Sequence, residues 1–156
     1  MRILLIEDDE DKTRKIIDFL LELYGNPIVV EAKSFSSGLR QAIKLTSELD
    51  VILLDMSMPN YDVTFEEPSG GTPEPFAGRA LLAQMQLRDV RIPVIIVTMF
   101  DSFGENEMKI SLPQLKEDLK RRYSPPYLDT VYYDARQEGW RNELKNSLLQ
   151  LGKTNE

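Results

Sequence analysis

The sequence predicts an α/β fold in a single domain over residues 1–156, a parallel sheet doubly wound with helices on both faces. Three observations predict it. Five short runs of branched apolar residues punctuate the chain, each the length of a strand buried on both faces. Helical segments, with apolar residues recurring every three or four positions, alternate with those runs. The chain has 156 residues, the size of one domain, and such a domain buries a core without a disulfide or metal staple.

The first strand is Ile3-Leu4-Leu5-Ile6, and five acids, Glu7 to Asp11, follow at once. A helix comes next, with Ile16, Leu20 and Leu23 on one stripe and Ile17 and Leu21 beside it; Gly25-Asn26-Pro27 ends it. Ile28-Val29-Val30 is the second strand. Ser36 and Ser37 offer N-caps to a helix carrying Leu39, Ala42, Ile43 and Leu45. Val51-Ile52-Leu53-Leu54 is the third strand, and Asp55 terminates it. After a long polar stretch, a helix from about Gly78 carries Ala80, Leu81, Leu82 and Met85. Pro93 opens the fourth strand, Val94-Ile95-Ile96-Val97, which ends at Thr98. Ser111 and Gln114 form a Ser-x-x-Gln capping pattern with Pro113 in the first turn, and Tyr123-Ser124-Pro125-Pro126 stops that helix. Val131-Tyr132-Tyr133 is the fifth strand. Trp140, Leu144, Leu148 and Leu151 mark the last helix.

Composition removes several activities. The chain holds 19 bases and 26 acids, a net charge of −7, and has no histidine and no cysteine. It therefore has no thiolate nucleophile, no Cys/His zinc site, no Ser-His-Asp triad and no phosphohistidine of its own. The negative balance argues against direct DNA binding, which needs a basic face for the phosphates. No apolar run approaches the roughly 20 residues of a membrane span. The opening apolar run is too short for a signal-peptide core, so the default address is the cytoplasm. No glycine-rich phosphate loop is present, which disfavours the nucleotide-binding versions of this architecture.

In open parallel sheets ligands sit beyond the carboxyl ends of the strands. Glu7-Asp8-Asp9 stand there on strand one, Asp55 on strand three and Thr98 on strand four. Acids between a strand and a helix are also ordinary caps, worth about 0.3–1 kcal/mol each, and a threonine at a strand end is often a turn residue. Five consecutive acids, together with an isolated Asp ending a wholly apolar strand, favour a convergent acidic pocket. Grouped carboxylates repel unless a hard cation joins them, and Mg²⁺ takes a few carboxylates plus waters. A carboxylate beside such a cation can accept a phosphoryl group, and the Thr98 hydroxyl can donate to a phosphoryl oxygen.

Ile3-Leu4-Leu5-Ile6-Glu7-Asp8-Asp9-Glu10 and Asp50-Val51-Ile52-Leu53-Leu54-Asp55-Met56-Ser57-Met58-Pro59 resemble the first and third strands of bacterial response-regulator receiver domains, from two-component systems. Pro93 to Thr98 resembles the fourth strand, and Gly78 the glycine opening the third helix. The resemblance covers nearly the whole chain apart from two insertions, at about 59–78 and 99–111. It implies a flavodoxin-like three-layer sandwich, with five helices and a five-stranded sheet in the order 2-1-3-4-5. It implies Asp55 as phosphoacceptor, Asp8 and Asp55 as direct Mg²⁺ ligands, Glu7 as a ligand through water, the backbone carbonyl of Ser57 as a further ligand, and Thr98 as the switch hydroxyl. Asp9 falls outside the acidic pair unless the register slips by one.

The chain departs from the family at the end of strand five, where a phosphoryl-binding lysine is usual. Here Tyr133 or Asp134 stands in its place, and an Asp would add a further carboxylate. Lys109, in the loop after strand four, is the base considered as a substitute. Met99 follows Thr98 where a small residue is usual; burial is the simpler reading of it, crowding of Asp55 the sharper one.

The first insertion holds Pro59, Pro68, Pro73 and Pro75, no Lys or Arg, and the aromatics Tyr61, Phe65 and Phe76. It reads equally as a solvated loop and as a lid or partner-docking loop leaving the Asp55 turn. The second places Phe100 and Phe103 around Asp101 and Ser102. Lys116, Lys120, Arg121 and Arg122 read as a solvated helix face, with contact to an acidic partner or to the chain itself as the sharper alternative.

The resemblance implies phosphorelay signalling without an enzyme activity of its own. Asp55 receives a phosphoryl group from a partner histidine kinase or phosphotransfer protein, and a downstream protein target reads the result, since no output domain follows the last helix. The alternative is a receiver-fold binding module that no longer switches. A Mg²⁺-dependent phosphatase is disfavoured, because Ser57 stands where such enzymes place a second Asp.

Overall fold

A computed structural model describes residues 1–62, 74–99, 102–103 and 110–154. Among these described residues are seven strands and six helices: β1 (Arg2–Ile6), α1 (Glu10–Tyr24), β2 (Ile28–Ala32), α2 (Phe35–Lys44), β3 (Val51–Leu54), α3 (Ala77–Leu87), β4 (Val94–Thr98), β5 (Ser102–Phe103), β6 (Ile110–Ser111), α4 (Leu112–Tyr123), β7 (Tyr127–Tyr132), α5 (Gly139–Leu149) and the single turn α6 (Leu151–Thr154). The main sheet runs β2-β1-β3-β4-β7, parallel throughout. This is the flavodoxin-like order, and it differs from the expected 2-1-3-4-5 only at the edge strand. The edge strand is seventh in the chain because residues after β4 pair antiparallel as a two-residue ribbon, β5 with β6.

Side chains alternate along each strand and divide between two cores. Leu4, Ile6, Ile52, Leu54, Val94 and Ile96 pack with Ala42 of α2, Leu81, Leu82 and Met85 of α3, and Leu115 and Leu119 of α4. Ile3, Leu5, Val51, Leu53, Ile95, Val97 and Val131 pack on the opposite face with Ile16, Phe19 and Leu20 of α1 and Trp140, Leu144 and Leu148 of α5. The chain is thus three layers, with α2, α3 and α4 on one side and α1 and α5 on the other.

Helix ends follow their caps. Asp9 caps α1 by accepting from the Lys12 N–H at 2.9 Å, and Gly25 closes that helix at φ 77°, where a side chain would be strained. Ser111 and Gln114 form the expected capping box of α4. Three expectations need correction. The N-cap of α2 is Ser34, with Ser37 as its reciprocal partner, because the chain enters the helix two residues earlier than the apolar stripe suggests. The edge strand begins at Tyr127 rather than Val131; its first half is less apolar because it lies at an edge. Leu21 is exposed, since the buried stripe of α1 passes through Phe19.

Candidate functional site

The backbone brings the strand ends together before any side chain is considered. The Asp55 N–H donates to the Ile6 carbonyl at 3.0 Å, tying the end of β3 to the end of β1, and the Glu7 N–H donates to Ala32 at 2.9 Å. Gly78 buttresses the Asp55 turn. Its N–H donates to the Met56 carbonyl at 2.8 Å, and a Cβ on it would stand 2.9 Å from the Asp55 carbonyl oxygen and 3.0 Å from Met56 Cα. Only glycine admits that approach.

Carboxylate oxygens of Glu7, Asp8 and Asp55 lie within 4.8 Å of one another, the sole such acidic group among the described residues. Glu7 and Asp55 are buried and Asp8 is exposed. Burial pushes the Glu7 carboxyl up to about 9, with the neighbouring Asp55 adding to the rise and Lys12 opposing it. Asp8 is raised as well, first by burial and then by Asp55. Asp55 Oδ1 is buried and accepts no hydrogen bond. Crowded carboxylates with raised proton affinity and an orphaned inward oxygen are the donor set that a hard divalent cation satisfies. The residues therefore fit Mg²⁺.

Asp9 does not belong to this group, because its carboxylate caps α1. Ser57 is half-buried, two residues past Asp55. Thr98 is fully buried at the end of β4. The β3–β4 register pairs Leu54 with Ile96, so Asp55 and Thr98 share the carboxyl edge of the sheet. Met99 turns outward with 40 % of its surface exposed, contrary to the burial expected of it.

At the end of the edge strand it is Tyr133 that points inward, its N–H donating to the Thr98 carbonyl at 2.7 Å. The ring packs against Trp140 at 4.9 Å, and burial raises its hydroxyl above the ordinary value. Asp134 adds no carboxylate to the pocket. It accepts from the Arg136 backbone and guanidinium instead.

The base at the site is Lys12, which the sequence reading missed. Its side chain, 2 % exposed, reaches from the first turn of α1 so that Nζ donates to Val97 O at 2.6 Å and to Glu7 Oε2 at 3.2 Å. Nζ also lies 3.4 Å from Asp55 Oδ1, an ion pair whose angles fall short of a hydrogen bond, and 5.7 Å from the centre of the Tyr133 ring. A signal was present: Lys12, Ile16 and Leu20 recur at intervals of four, so this lysine continues the buried stripe. Lys109 lies outside the described residues.

The described ends of the first insertion fold onto α2. The carbonyls of Pro59 and Asn60 accept from the N–H groups of Phe35 and Ser36, and Asp62 Oδ1 accepts from the Ser34 and Ser37 hydroxyls at 2.6 and 2.7 Å. A Met58–Glu74 bridge closes the return. Phe76 packs on the core and Tyr61 is exposed; Phe65 and the rest of 63–73 lie outside the described residues, as do Phe100 and Asp101. On α4, Arg121 and Arg122 pair with Asp118, and Lys116 stands 3.9 Å from Asp129. No helix among the described residues is long and apolar enough to cross a membrane.

No protein-family model matches the chain. It is 30% identical over 151 residues to the uncharacterized protein y4jR of Sinorhizobium fredii, covering 97% of this chain and 99% of that one. It is 28% identical over 151 residues to the Detocs response regulatory protein DtcB of Enterobacter cloacae, covering 97% of this chain and all of the relative. Among solved structures of the same fold is a chain of the CheX–CheY–BeF₃–Mg complex of Borrelia burgdorferi. It matches at TM-score 0.66 and 14% identity, over 97% of this chain and 88% of that one. Relatives matched almost end to end, one of them a response regulatory protein, and solved receiver domains of the same fold point one way: the chain belongs to the response-regulator receiver family.

Proposed function

We propose that Asp55 accepts a phosphoryl group from a partner histidine kinase or phosphotransfer protein, and that the phosphorylated chain is read by a downstream protein. Membership of the receiver family supports phosphorelay signalling in general. The observation that carries the finer proposal is Asp55 Oδ1, a buried oxygen with no hydrogen bond, beside two further carboxylates at the carboxyl edge of the sheet. A buried nucleophile left unsatisfied costs stability, and it is kept where chemistry needs it free.

Asp8 and Asp55 would hold Mg²⁺ directly, Glu7 through water, and Ser57 through its backbone carbonyl. Bound there, the cation supplies charge neutralisation for an incoming phosphoryl group. The chain's own residues do the rest. The bond from Asp55 N–H to Ile6 O fixes the nucleophile, the Gly78 contact holds its turn, and the Thr98 hydroxyl donates to the transferred group. One carboxylate oxygen of Asp55 forms the new P–O bond. The donor's bond to phosphorus breaks, and its electron pair leaves with the donor. No proton is taken from Asp55.

Intact mass after incubation with acetyl phosphate and Mg²⁺ tests this. Wild type gains one phosphoryl group and Asp55→Asn gains none. Equal gain by the two, or no gain by wild type, defeats the proposal. Tyr133 in the usual place of a lysine favours a second reading, a binding module that is not phosphorylated. Under it, partner capture survives Asp55→Asn and is lost on deleting residues 60–77.

A further inference from the structure

We propose that Lys12, reaching in from α1, is the cation that binds the phosphoryl group on Asp55, in a site where the edge strand supplies only Tyr133. The proposal rests on the phosphoacceptor role given to Asp55 above and names the residue that completes it.

A lysine that is 2 % exposed is rare unless its charge is used. Two contacts hold Nζ, Glu7 Oε2 and the Val97 carbonyl, while Asp55 Oδ1 stands 3.4 Å away without a hydrogen bond. An ammonium has three N–H donors. Two are committed, which leaves the third for a group carried by the nucleophile, whose orphaned oxygen lies 3.4 Å from Nζ. Phosphorylation adds to a carboxylate oxygen a group with three further acceptor oxygens and about two negative charges, and that charge must be met inside a pocket already crowded with carboxylates. Among the described residues, Lys12 is the one base paired with Asp55.

The path to that position is built into the fold. Asp9 caps α1 through the Lys12 N–H, which fixes where the side chain starts. The Val97 carbonyl, next to Thr98, fixes where it ends. The Tyr133 ring forms a wall 5.7 Å from Nζ. The helix thus brings to the site the positive charge that the edge strand, ending in Tyr133, does not supply. Lys12 forms and breaks no covalent bond; it adds a hydrogen bond to the group the nucleophile carries.

The test separates cation binding from phosphoryl binding. Thermal shift is read for the full chain in EDTA, in Mg²⁺, and in Mg²⁺ with BeF₃⁻ as phosphoryl mimic. Wild type is expected to rise with Mg²⁺ and again with BeF₃⁻. Lys12→Met is expected to keep the Mg²⁺ rise, because a competing positive charge has gone, and to lose the BeF₃⁻ rise. Lys12→Met/Tyr133→Lys, which returns the ammonium to the strand end, is expected to regain it. A BeF₃⁻ rise in Lys12→Met equal to wild type overturns the proposal and leaves Lys12 a structural counter-ion, with Asp55 chemistry untouched. No BeF₃⁻ rise in wild type overturns the role of Asp55 and this proposal with it. A second measurement needs no Lys12→Met protein. In ¹⁵N-lysine-labelled wild type, with the Nζ signal assigned by its absence in Lys12→Arg, adding BeF₃⁻ to the Mg²⁺ form moves that signal. An unmoved signal overturns the proposal.

Discussion

Gly78 and Glu7 show how single residues carry the site. A methyl group at Gly78 meets the backbone at Asp55 and Met56 rather than a yielding side chain. Gly78→Ala is therefore expected to cost about 1–3 kcal/mol in urea unfolding and, by displacing the Asp55 turn, to weaken Mg²⁺ binding by calorimetry. Unchanged Mg²⁺ affinity would mean that the turn yields without moving the carboxylate. Glu7 contributes to the pH dependence of the metal-free chain. Its folded value, about 9, lies above its ordinary 4.5, so the folded state binds the proton more tightly than the unfolded state. That stabilisation is complete below about 4.5 and is lost as pH rises towards 9. In EDTA, unfolding midpoints are expected to fall across this window, and Glu7→Gln to flatten the fall; an equal slope in both proteins would show that Glu7 titrates normally. Glu7, Asp8 and Asp55 were legible in the sequence because acids after apolar strands stand out. Lys12 was not, because a lysine in a helix is by default a solvated one and only the interval to Ile16 and Leu20 marks it.

Elements place these residues through their caps and edges. Of the five acids from Glu7 to Asp11, two belong to the acidic cluster, and Asp9 serves the helix. Asp9→Ala is expected to cost about 1 kcal/mol of stability and to leave the acidic group and its Mg²⁺ affinity in place. A loss of Mg²⁺ binding in that variant would move Asp9 into the ligand set. The first insertion is anchored by Asp62, which accepts from both hydroxyls of the α2 capping box. Asp62→Ala is expected to speed limited proteolysis within residues 60–77 without changing Mg²⁺ binding; an unchanged cleavage rate would show that the anchor is redundant. Sequence placed that cap on Ser36 and Ser37 because the true cap, Ser34, stands before Phe35, outside the regular apolar interval. The same limit applies at β7, where an edge strand has no continuous apolar run to announce its start.

Across the molecule, residues 1–98 hold 16 acids against 10 bases, and residues 99–156 hold 10 against 9. The net charge of −7 thus arises largely in the part that carries the acidic cluster and the first insertion. The alternation of strands and helices made the three-layer fold readable, since each apolar run has room for one strand and each stripe covers one face. The identity of the cation was not readable, because a parallel sheet brings together residues such as Lys12 and Val97, 85 positions apart. Mg²⁺ is expected to raise the melting temperature in proportion to the logarithm of its excess over Kd, with EDTA reversing the rise and Asp8→Asn abolishing it. An Asp8→Asn protein that responds like wild type would remove Asp8 from the site. The most direct measurement of the whole account is a crystal structure of the chain with Mg²⁺ and BeF₃⁻. The account predicts BeF₃⁻ on Asp55, within hydrogen-bond reach of Lys12 Nζ and the Thr98 hydroxyl. BeF₃⁻ on Asp55 with Lys12 still held only by Glu7 and Val97, or no BeF₃⁻ at Asp55, would contradict it.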